Sequence, residues 1–273
     1  MILLKIAVTI LIVTTLSIIA ERVSPRAAGI LAGYPAGSAI SLFFIGLERG
    51  AEFGGQSALY NVAGMTALLI FLYTYYRVSA RAKRYAIAYG SISALIAFFA
   101  AVAVLNAIHL PPWAGLLLTS AAILGAGRLF QRIPNAQIAK RVALGPRVLL
   151  FRASLSAGII LLITGAAHWV GPDLAGLFSA FPATVFPLIL IIHTTYHAEQ
   201  AHTVIKNVPT GLWSLILYSL TISFVYPRIG IYWGTLASFA IATVYLLGLA
   251  AAGARLRAAQ PKPPQSEPVQ SRL

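Results

Sequence analysis

Two carboxylates, Glu52 and Glu199, are the residues of this chain whose type and spacing most favour ion chemistry. They are two of only six acidic residues among 273, and they stand 147 positions apart, each just after a long apolar run. A carboxylate below the lipid headgroups is costly unless it is paired, so such residues mark proton or cation pathways. We therefore name both as coupling candidates. The alternative is that both lie in water at the faces of a membrane.

Four more coupling candidates lie just before these carboxylates. Glu48 and Arg49 are adjacent and predict a local ion pair at a helix end, which contributes little in solvent. His193 and His197 are spaced i, i+4, so one helix face would carry both imidazoles, which can bind a metal or accept a proton. No HExxH pattern accompanies them, and we predict no metal site.

An internal repeat contains all of these residues. The segment from Pro25 to Glu52 returns 147 positions later, without a gap, as Pro172 to Glu199, and eight of its 28 positions are identical. The matching Gly, Pro and Glu positions carry the weight, because Ala and Ile matches arise by chance in an apolar chain. Each copy places a proline inside a run that otherwise predicts a helix.

These prolines, Pro35 and Pro182, each follow an aromatic residue. A proline removes a backbone donor and clashes with the preceding turn, and carbonyls freed at membrane depth are tolerated where they line a buried or watered cavity. The two breaks therefore indicate a central site; ordinary kinks between closely packed helices are the alternative. The substrate or pathway candidates are the residues of the breaks with two nearly equivalent asparagines: Gly33, Tyr34, Pro35, Phe181, Pro182, Asn61 and Asn207.

Composition predicts that the chain is an all-α integral membrane protein. It is 59% apolar and only 10% charged, which is too little polar surface for a soluble globule. A hydrocarbon core about 30 Å thick requires spans of roughly 20 apolar residues. About nine transmembrane helices are predicted, near Ile2–Ala20, Ala28–Leu47, Leu59–Tyr76, Tyr85–Ile108, Trp113–Phe130, Val148–Val170, Leu174–Ile192, Val204–Val225 and Ile229–Leu249.

The net charge of +14 indicates orientation and a contact with anionic lipid rather than a nucleic-acid partner. Seventeen of the 20 Lys and Arg residues fall on one side of the nine-span path, and Lys5, Arg49 and Arg228 fall on the other. The positive-inside rule then predicts an external N-terminus and a cytoplasmic C-terminus in the inner (plasma) membrane. Five spans separate the starts of the two copies, and an odd number inverts the second copy relative to the first.

The predicted organisation is an inverted 4+4 repeat joined by one extra helix. Residues 1–108 form the first membrane repeat, and residues 109–146 form a linker helix and a basic cytoplasmic loop. Residues 147–251 form the second, inverted repeat. Residues 252–273, rich in Pro, Gln and Ser, predict a disordered cytoplasmic tail.

The segment AGILAGYPAGSAISLFFIGLERGAE resembles the small GlpM-like family of four-span bacterial membrane proteins. The residues that carry the resemblance are Gly29, Tyr34, Pro35, Glu48, Arg49, Gly50 and Glu52. The second copy keeps the glycine, the aromatic-proline pair and the last glutamate, but it has Thr195, Tyr196 and His197 in place of Glu-Arg-Gly. The resemblance implies two fused GlpM-like units in the inner membrane and implies no established chemistry.

These features favour a secondary transporter or exporter of a small solute or ion, with alternating access around the two Pro-broken helices. The alternative is a non-transporting assembly or scaffold subunit linked to envelope polysaccharide or lipid metabolism; a lipid-handling protein, which a groove open to the bilayer would favour, is a third. Nucleotide loops and the GxSxG and GxGxxG motifs are absent, so no enzyme activity is predicted. The expected partners are the bilayer and a small solute or ion, without a cofactor; a homo-oligomer is left open.

Overall fold

The computed structural model describes residues 2–21, 30–136 and 145–258, and within them the side chains of 2–15, 30–136 and 145–252. All secondary structure in these ranges is helical. The helices, in chain order, are α1 (Ile2–Glu21), α2 (Ala36–Arg49), α3 (Ala51–Ser79), α4 (Ala86–Ile108), α5 (Pro112–Phe130), α6 (Pro146–Ala166), α7 (Pro172–Ser179), α8 (Val185–Thr195), α9 (Ala198–Ile229) and α10 (Ile231–Ala258).

The predicted all-helical membrane architecture is confirmed in the described residues. Seven of their helices are long and apolar enough to cross a membrane: Ile30–Arg49, Ala51–Ser79, Ala86–Ile108, Pro112–Phe130, Pro146–Ala166, Ala198–Ile229 and Ile231–Ala252. The stretch Ile2–Thr15 of α1 is also apolar, and Val185–Thr195 is a shorter apolar helix. The chain is therefore a multi-pass membrane protein, and the count of nine spans stays a prediction.

Helices α3 and α9 are longer than the predicted spans Leu59–Tyr76 and Val204–Val225. They contain 29 and 32 residues, about 43 and 48 Å at 1.5 Å per residue. Both begin with polar turns that lower the local hydropathy, so an apolar window starts too late. Helix α10 continues to Ala258 and includes the first residues of the predicted tail; residues 259–273 lie outside the described ranges.

Helices α3 and α9 cross as an antiparallel pair at the centre of the protein. Asn61 of α3 is hydrogen-bonded to Ser219 of α9, whereas Ser79, at the end of α3, is hydrogen-bonded to His202 near the start of α9. Helices α4 and α10 lie at the periphery, since only 22% and 11% of their apolar windows are buried. Their exposed leucine, isoleucine and aromatic side chains are consistent with contact to a lipid bilayer.

The two ends of this bundle differ in charge. At one end, which we call the basic end, α3 and α5 end and α4, α6 and α9 begin. Lys206 of α9 donates there to the carbonyl of Ile133, just after α5 (2.6 Å). At the opposite end Arg49 donates to the carbonyl of Ala167, just after α6 (2.7 Å). The described Lys and Arg residues of the clusters at 77–84 and 128–132 lie at or just after the ends of α3 and α5, at the basic end. Which side of a membrane this end faces stays a prediction.

Helices with equivalent sequence positions begin at nearly equivalent places. Ala51 begins α3 and Ala198 begins α9, an offset of 147 residues. Helices α1, α2 and α4 correspond in the same way to α6, α8 and α10, with starts that differ by a few residues. Helix α5 is left between the two sets of four. The 4+4 division and the inversion of the halves across a membrane both stay predictions.

Candidate functional site

The first break in a membrane helix lies at the predicted position, Pro35. A short helical stretch ends there, and α2 begins at Ala36. Tyr34 donates its N–H to the carbonyl of Leu31 (3.0 Å) and accepts a hydrogen bond from the N–H of Ala36 (2.7 Å). The carbonyl of Pro35 accepts from Ala39 (2.7 Å). The proline thus ends one helical segment and starts the next.

The second break repeats this geometry around Pro182. Phe181 donates to the carbonyl of Phe178 (2.9 Å) and accepts from the N–H of Ala183 (2.7 Å). The carbonyl of Pro182 accepts from Phe186 (2.8 Å). Each of these bonds joins residues exactly 147 positions after those of the first break. The two helix breaks therefore share one hydrogen-bond pattern.

The two breaks meet at a pair of equivalent residues, Gly37 and Thr184. A Cβ on Gly37 would stand 3.3 Å from the Thr184 hydroxyl oxygen and 3.4 Å from its backbone nitrogen. The two positions are 147 residues apart. This contact joins the two breaks, so we take it as the centre of the candidate site. We call it the break junction.

Two glycines in the long central helices hold the first segments of the broken helices. A Cβ on Gly64 of α3 would stand 2.7 Å from the Cβ of Ala180 and 2.9 Å from the carbonyl oxygen of Leu177. A Cβ on Gly211 of α9 would collide in the same way with the backbone of Ile30 and Gly33. All of these partners are equivalent in the repeat, and Gly64 and Gly211 are themselves 147 residues apart. Helix α3 therefore packs closely against the broken helix of the second repeat, and α9 packs closely against the broken helix of the first.

The aromatic residues of the breaks also pack on the opposite half. The Tyr34 hydroxyl is hydrogen-bonded to Thr243 of α10 (2.9 Å), and its ring lies 5.9 Å from that of Phe239. The ring of Phe181 lies 5.0 Å from that of Phe98 on α4. The predicted candidates Gly33, Tyr34, Pro35, Phe181 and Pro182 are thus brought together around the break junction.

Asn61 joins this site, and Asn207 does not. Asn61 is 0% exposed; its amide donates to the Ser179 hydroxyl at the end of α7 (2.7 Å) and accepts from the Ser219 hydroxyl (2.9 Å). Asn207 donates only to the carbonyl of Thr203, one turn back on its own helix (2.7 Å). The two asparagines, which the sequence predicts to be nearly equivalent, therefore have different hydrogen-bond partners.

This difference predicts unequal costs for one substitution. Asn61→Leu keeps the branching and the number of side-chain heavy atoms but leaves the Ser219 hydroxyl without its acceptor, and we expect a loss of about 1–3 kcal/mol of unfolding free energy. Asn207→Leu, the matched control, should cost under about 1 kcal/mol. Unfolding in mixed micelles, followed by tryptophan fluorescence, measures both. Equal losses would contradict the place of Asn61 in a network that crosses the helices.

Glu48 and Arg49 do not form the predicted local ion pair. The Glu48 carboxylate lies 2.7 Å from the Lys5 ammonium and 3.2 Å from the His168 ring, whereas Arg49 donates to a carbonyl and stacks over Phe53. Adjacent residues on a helix point about 100° apart, so they meet different neighbours. Lys5 is only 5% exposed and also donates to the Thr164 hydroxyl (2.7 Å).

Sequence reasoning used Lys5 only as a marker of orientation and missed this cluster. A signal was present: Arg152, at the position equivalent to Lys5, is the corresponding basic residue of α6, and both are buried. The offset of 147 residues also pairs Gly37 with Thr184. A comparison of all residues at this offset therefore identifies the pair Lys5 and Arg152 and the pair Gly37 and Thr184.

His193 and His197 do not share a helix face, contrary to the prediction. Helix α8 ends at Thr195, and His197 precedes α9 with an extended backbone. His193 instead shares a hydrogen bond with the Tyr75 hydroxyl (2.9 Å), and its ring lies 6.1 Å from that of His202. Throughout the described ranges, no three His, Asp or Glu side chains are grouped to hold a metal ion.

Glu52 and Glu199 both lie in the first turn of a helix, at opposite ends of the bundle, and both are exposed on the protein. A carboxylate in a first turn interacts favourably with the helix dipole. The only hydrogen bond that either carboxylate makes in the described part of the chain is from Gln56 to Glu52 (3.4 Å). Their role in coupling stays a prediction, and they lie far along their helices from the break junction.

A lateral groove of about 380 Å³ opens at the basic end. It is mainly apolar and lies between α4, α6 and α8, with Ile87, Phe151 and Leu190 in its wall and Arg147 at its polar side. An apolar groove beside a cation suits a lipid acyl chain and an anionic headgroup. It is separate from the break junction.

Comparison of the chain with models of protein families, with curated proteins and with solved structures finds no match. The resemblance to the GlpM-like family therefore stays a prediction.

Proposed function

We propose that this protein is a secondary transporter of a small solute or ion, in which the two Pro-broken helices form the central gate. The observation that carries the proposal is the contact between the equivalent residues Gly37 and Thr184. Inverted halves that meet at such a contact can exchange roles, which opens a central site to each side in turn.

The placement of the breaks supports this mechanism. Gly64 lies one residue before the midpoint of α3 and against the first segment of one broken helix. Helix α2 runs from the junction to Arg49 at the opposite end of the bundle, and α8 runs to Thr195 at the basic end. Their 14 and 11 residues extend about 21 and 16 Å. Laid end to end, they extend about 37 Å, somewhat more than a hydrocarbon core of about 30 Å, so the junction would lie near the middle of that core.

The wider architecture in this proposal is nine spans with inverted halves. In this count the apolar helix α1 is one span, and the pair α7–α8 is another. The span that is broken at Pro35 and ends in α2, with the six other long helices, completes the nine. The N-terminus would then be external and the C-terminus cytoplasmic. The gathering of basic residues at one end of the bundle supports this orientation.

The chain contains no cysteine, so single introduced thiols can test the gate without a background. We expect Thr184→Cys, in oriented proteoliposomes, to react with an impermeant thiol reagent added from either side. Adding Pro35→Ala and Pro182→Ala should lower both reaction rates about tenfold or more, because restored helices would close the break. Modification is measured by mass spectrometry.

Pro227→Ala is the matched control, because Pro227 is an exposed proline inside the continuous helix α9. It should leave the rates unchanged. A thiol at position 184 that reacts from neither side would overturn the central gate, and rates that survive the double proline substitution would remove the breaks from the mechanism.

A further inference from the structure

We propose that the break junction binds a small monovalent anion, held by the N-termini of α2 and α8. This inference rests on the proposed transport function and names the class of its substrate. It follows from which backbone groups at the junction have partners and which do not.

The free groups at the junction are hydrogen-bond donors. The N–H groups of Gly37 and Ser38 in the first turn of α2 have no acceptor among the described residues, and neither do those of Thr184 and Val185 at α8. Neither helix has a side-chain cap. All four residues are buried, and buried N–H groups without partners are rare in native structures.

The neighbouring acceptors, in contrast, are occupied. The carbonyls of Tyr34 and Pro35 accept hydrogen bonds from the residues that follow, and those of Phe181 and Pro182 do the same. A cation would need free oxygens at this point. A ligand that accepts hydrogen bonds would satisfy the groups that are free.

The two helix dipoles add to this preference. Helices α2 and α8 run away from the junction toward opposite ends of the bundle, so both positive ends meet there. Each N-terminus is equivalent to roughly half a positive charge, and helix N-termini are common anion sites for this reason. Together they suit about one negative charge, which is why we infer a monovalent ligand.

A second, independent observation is the Thr184 side chain. Thr184 is only 8% exposed, and its hydroxyl makes no hydrogen bond with any described residue. The hydroxyl oxygen is the atom nearest to the Cβ position of Gly37, at 3.3 Å, so it points at the N-terminus of α2. The Ser41 hydroxyl, also buried and without a partner, lies one turn further on the helix face of Gly37.

Carboxylates would oppose an anion, and those described lie elsewhere. Glu48 and Glu52 are at the end of α2 and the start of α3, Asp173 is in the first turn of α7, and Glu199 is in the first turn of α9. The described part of the junction therefore combines donors, two positive helix ends and hydroxyls without a competing negative group.

The test uses Thr184→Cys and a small uncharged thiol reagent, methyl methanethiosulfonate, in proteoliposomes. Chloride, nitrate and formate should each slow the modification in a saturable manner relative to gluconate, whereas exchange of Na⁺ for K⁺ should have no effect. If only cations or only neutral polyols slow the modification, the proposal that the junction binds an anion is wrong, whereas the proposal of a central gate still stands. A thiol that the reagent never reaches would overturn the gate itself.

Anion flux in the same vesicles gives a second readout. Thr184→Val, which keeps the side-chain shape but removes a donor, should weaken the apparent affinity for the transported anion about tenfold. Thr221→Val is the matched control, because that hydroxyl donates only to Leu217 of its own helix. Equal affinities in both variants, with thermal stability unchanged, would contradict the proposed contact.

Discussion

Glu48→Gln is expected to lower the unfolding free energy by about 3–5 kcal/mol, the cost of leaving one partner of a buried ion pair alone. The substitution keeps the volume of the side chain and removes its charge. Lys5 is 5% exposed and packs within 2.7 Å of both the carboxylate and the Thr164 hydroxyl. With the carboxylate removed, the Lys5 ammonium would keep only neutral acceptors, the introduced amide oxygen and the Thr164 hydroxyl, in a site where the Lys5 and Glu48 side chains are 6% and 13% exposed.

The double variant Lys5→Met, Glu48→Gln should recover most of this loss, because an apolar side chain replaces the unpaired charge. Glu52→Gln is the matched control; its exposed carboxylate has no cation as a partner in the described residues, and its loss should stay within about 0.5 kcal/mol. Denaturation in mixed micelles measures all three. If Glu48→Gln cost no more than the control, the pair would be solvated and not buried.

We expect Gly211→Val to force α9 away from the first broken helix. We expect Gly64→Val to force α3 away from the second. Any Cβ at Gly211 would enter the backbone of Ile30 and Gly33, and one at Gly64 would meet Leu177 and Ala180. Neither obstacle is a flexible side-chain tip that could move aside. We expect losses at or above about 3 kcal/mol, the upper end of the range for overpacking.

The control for these variants is Gly158→Val on α6, where nothing lies within 4 Å of the added Cβ. It carries the same helix-propensity change and should cost under about 1 kcal/mol. Stability in micelles and the yield of monodisperse protein check the three variants. Similar behaviour of Gly211→Val and Gly158→Val would contradict the close approach of α9 to the first broken helix.

The sequence predicts the helices well because the signals for them are local. Hydropathy separates the spans, and the predicted Tyr85–Ile108 and Trp113–Phe130 differ from α4 and α5 by one residue at most. Pro35 and Pro182 indicate the breaks because a proline acts on its own turn. The ends of α3 and α9 were predicted less well, since polar first turns extend a helix beyond its apolar window.

The partners of the charged and polar side chains were not predictable in this way. The sequence pairs Glu48 with its neighbour Arg49, whereas its partner Lys5 is 43 residues away. The i, i+4 spacing pairs His193 with His197, whereas a helix end between them leaves His193 against Tyr75, 118 residues away. Periodicity describes one helix face and carries no information about which other helix packs against it.

The sequence by itself determined a multi-pass helical membrane protein with two copies of a proline-broken segment, because composition, hydropathy and the repeat are properties of the chain. Only the tertiary structure decided that Gly37 meets Thr184, with donors left free on both sides. The physical reason is that every helix begins with N–H groups that have no acceptor within the helix. What those groups can bind depends on the elements that packing brings opposite them.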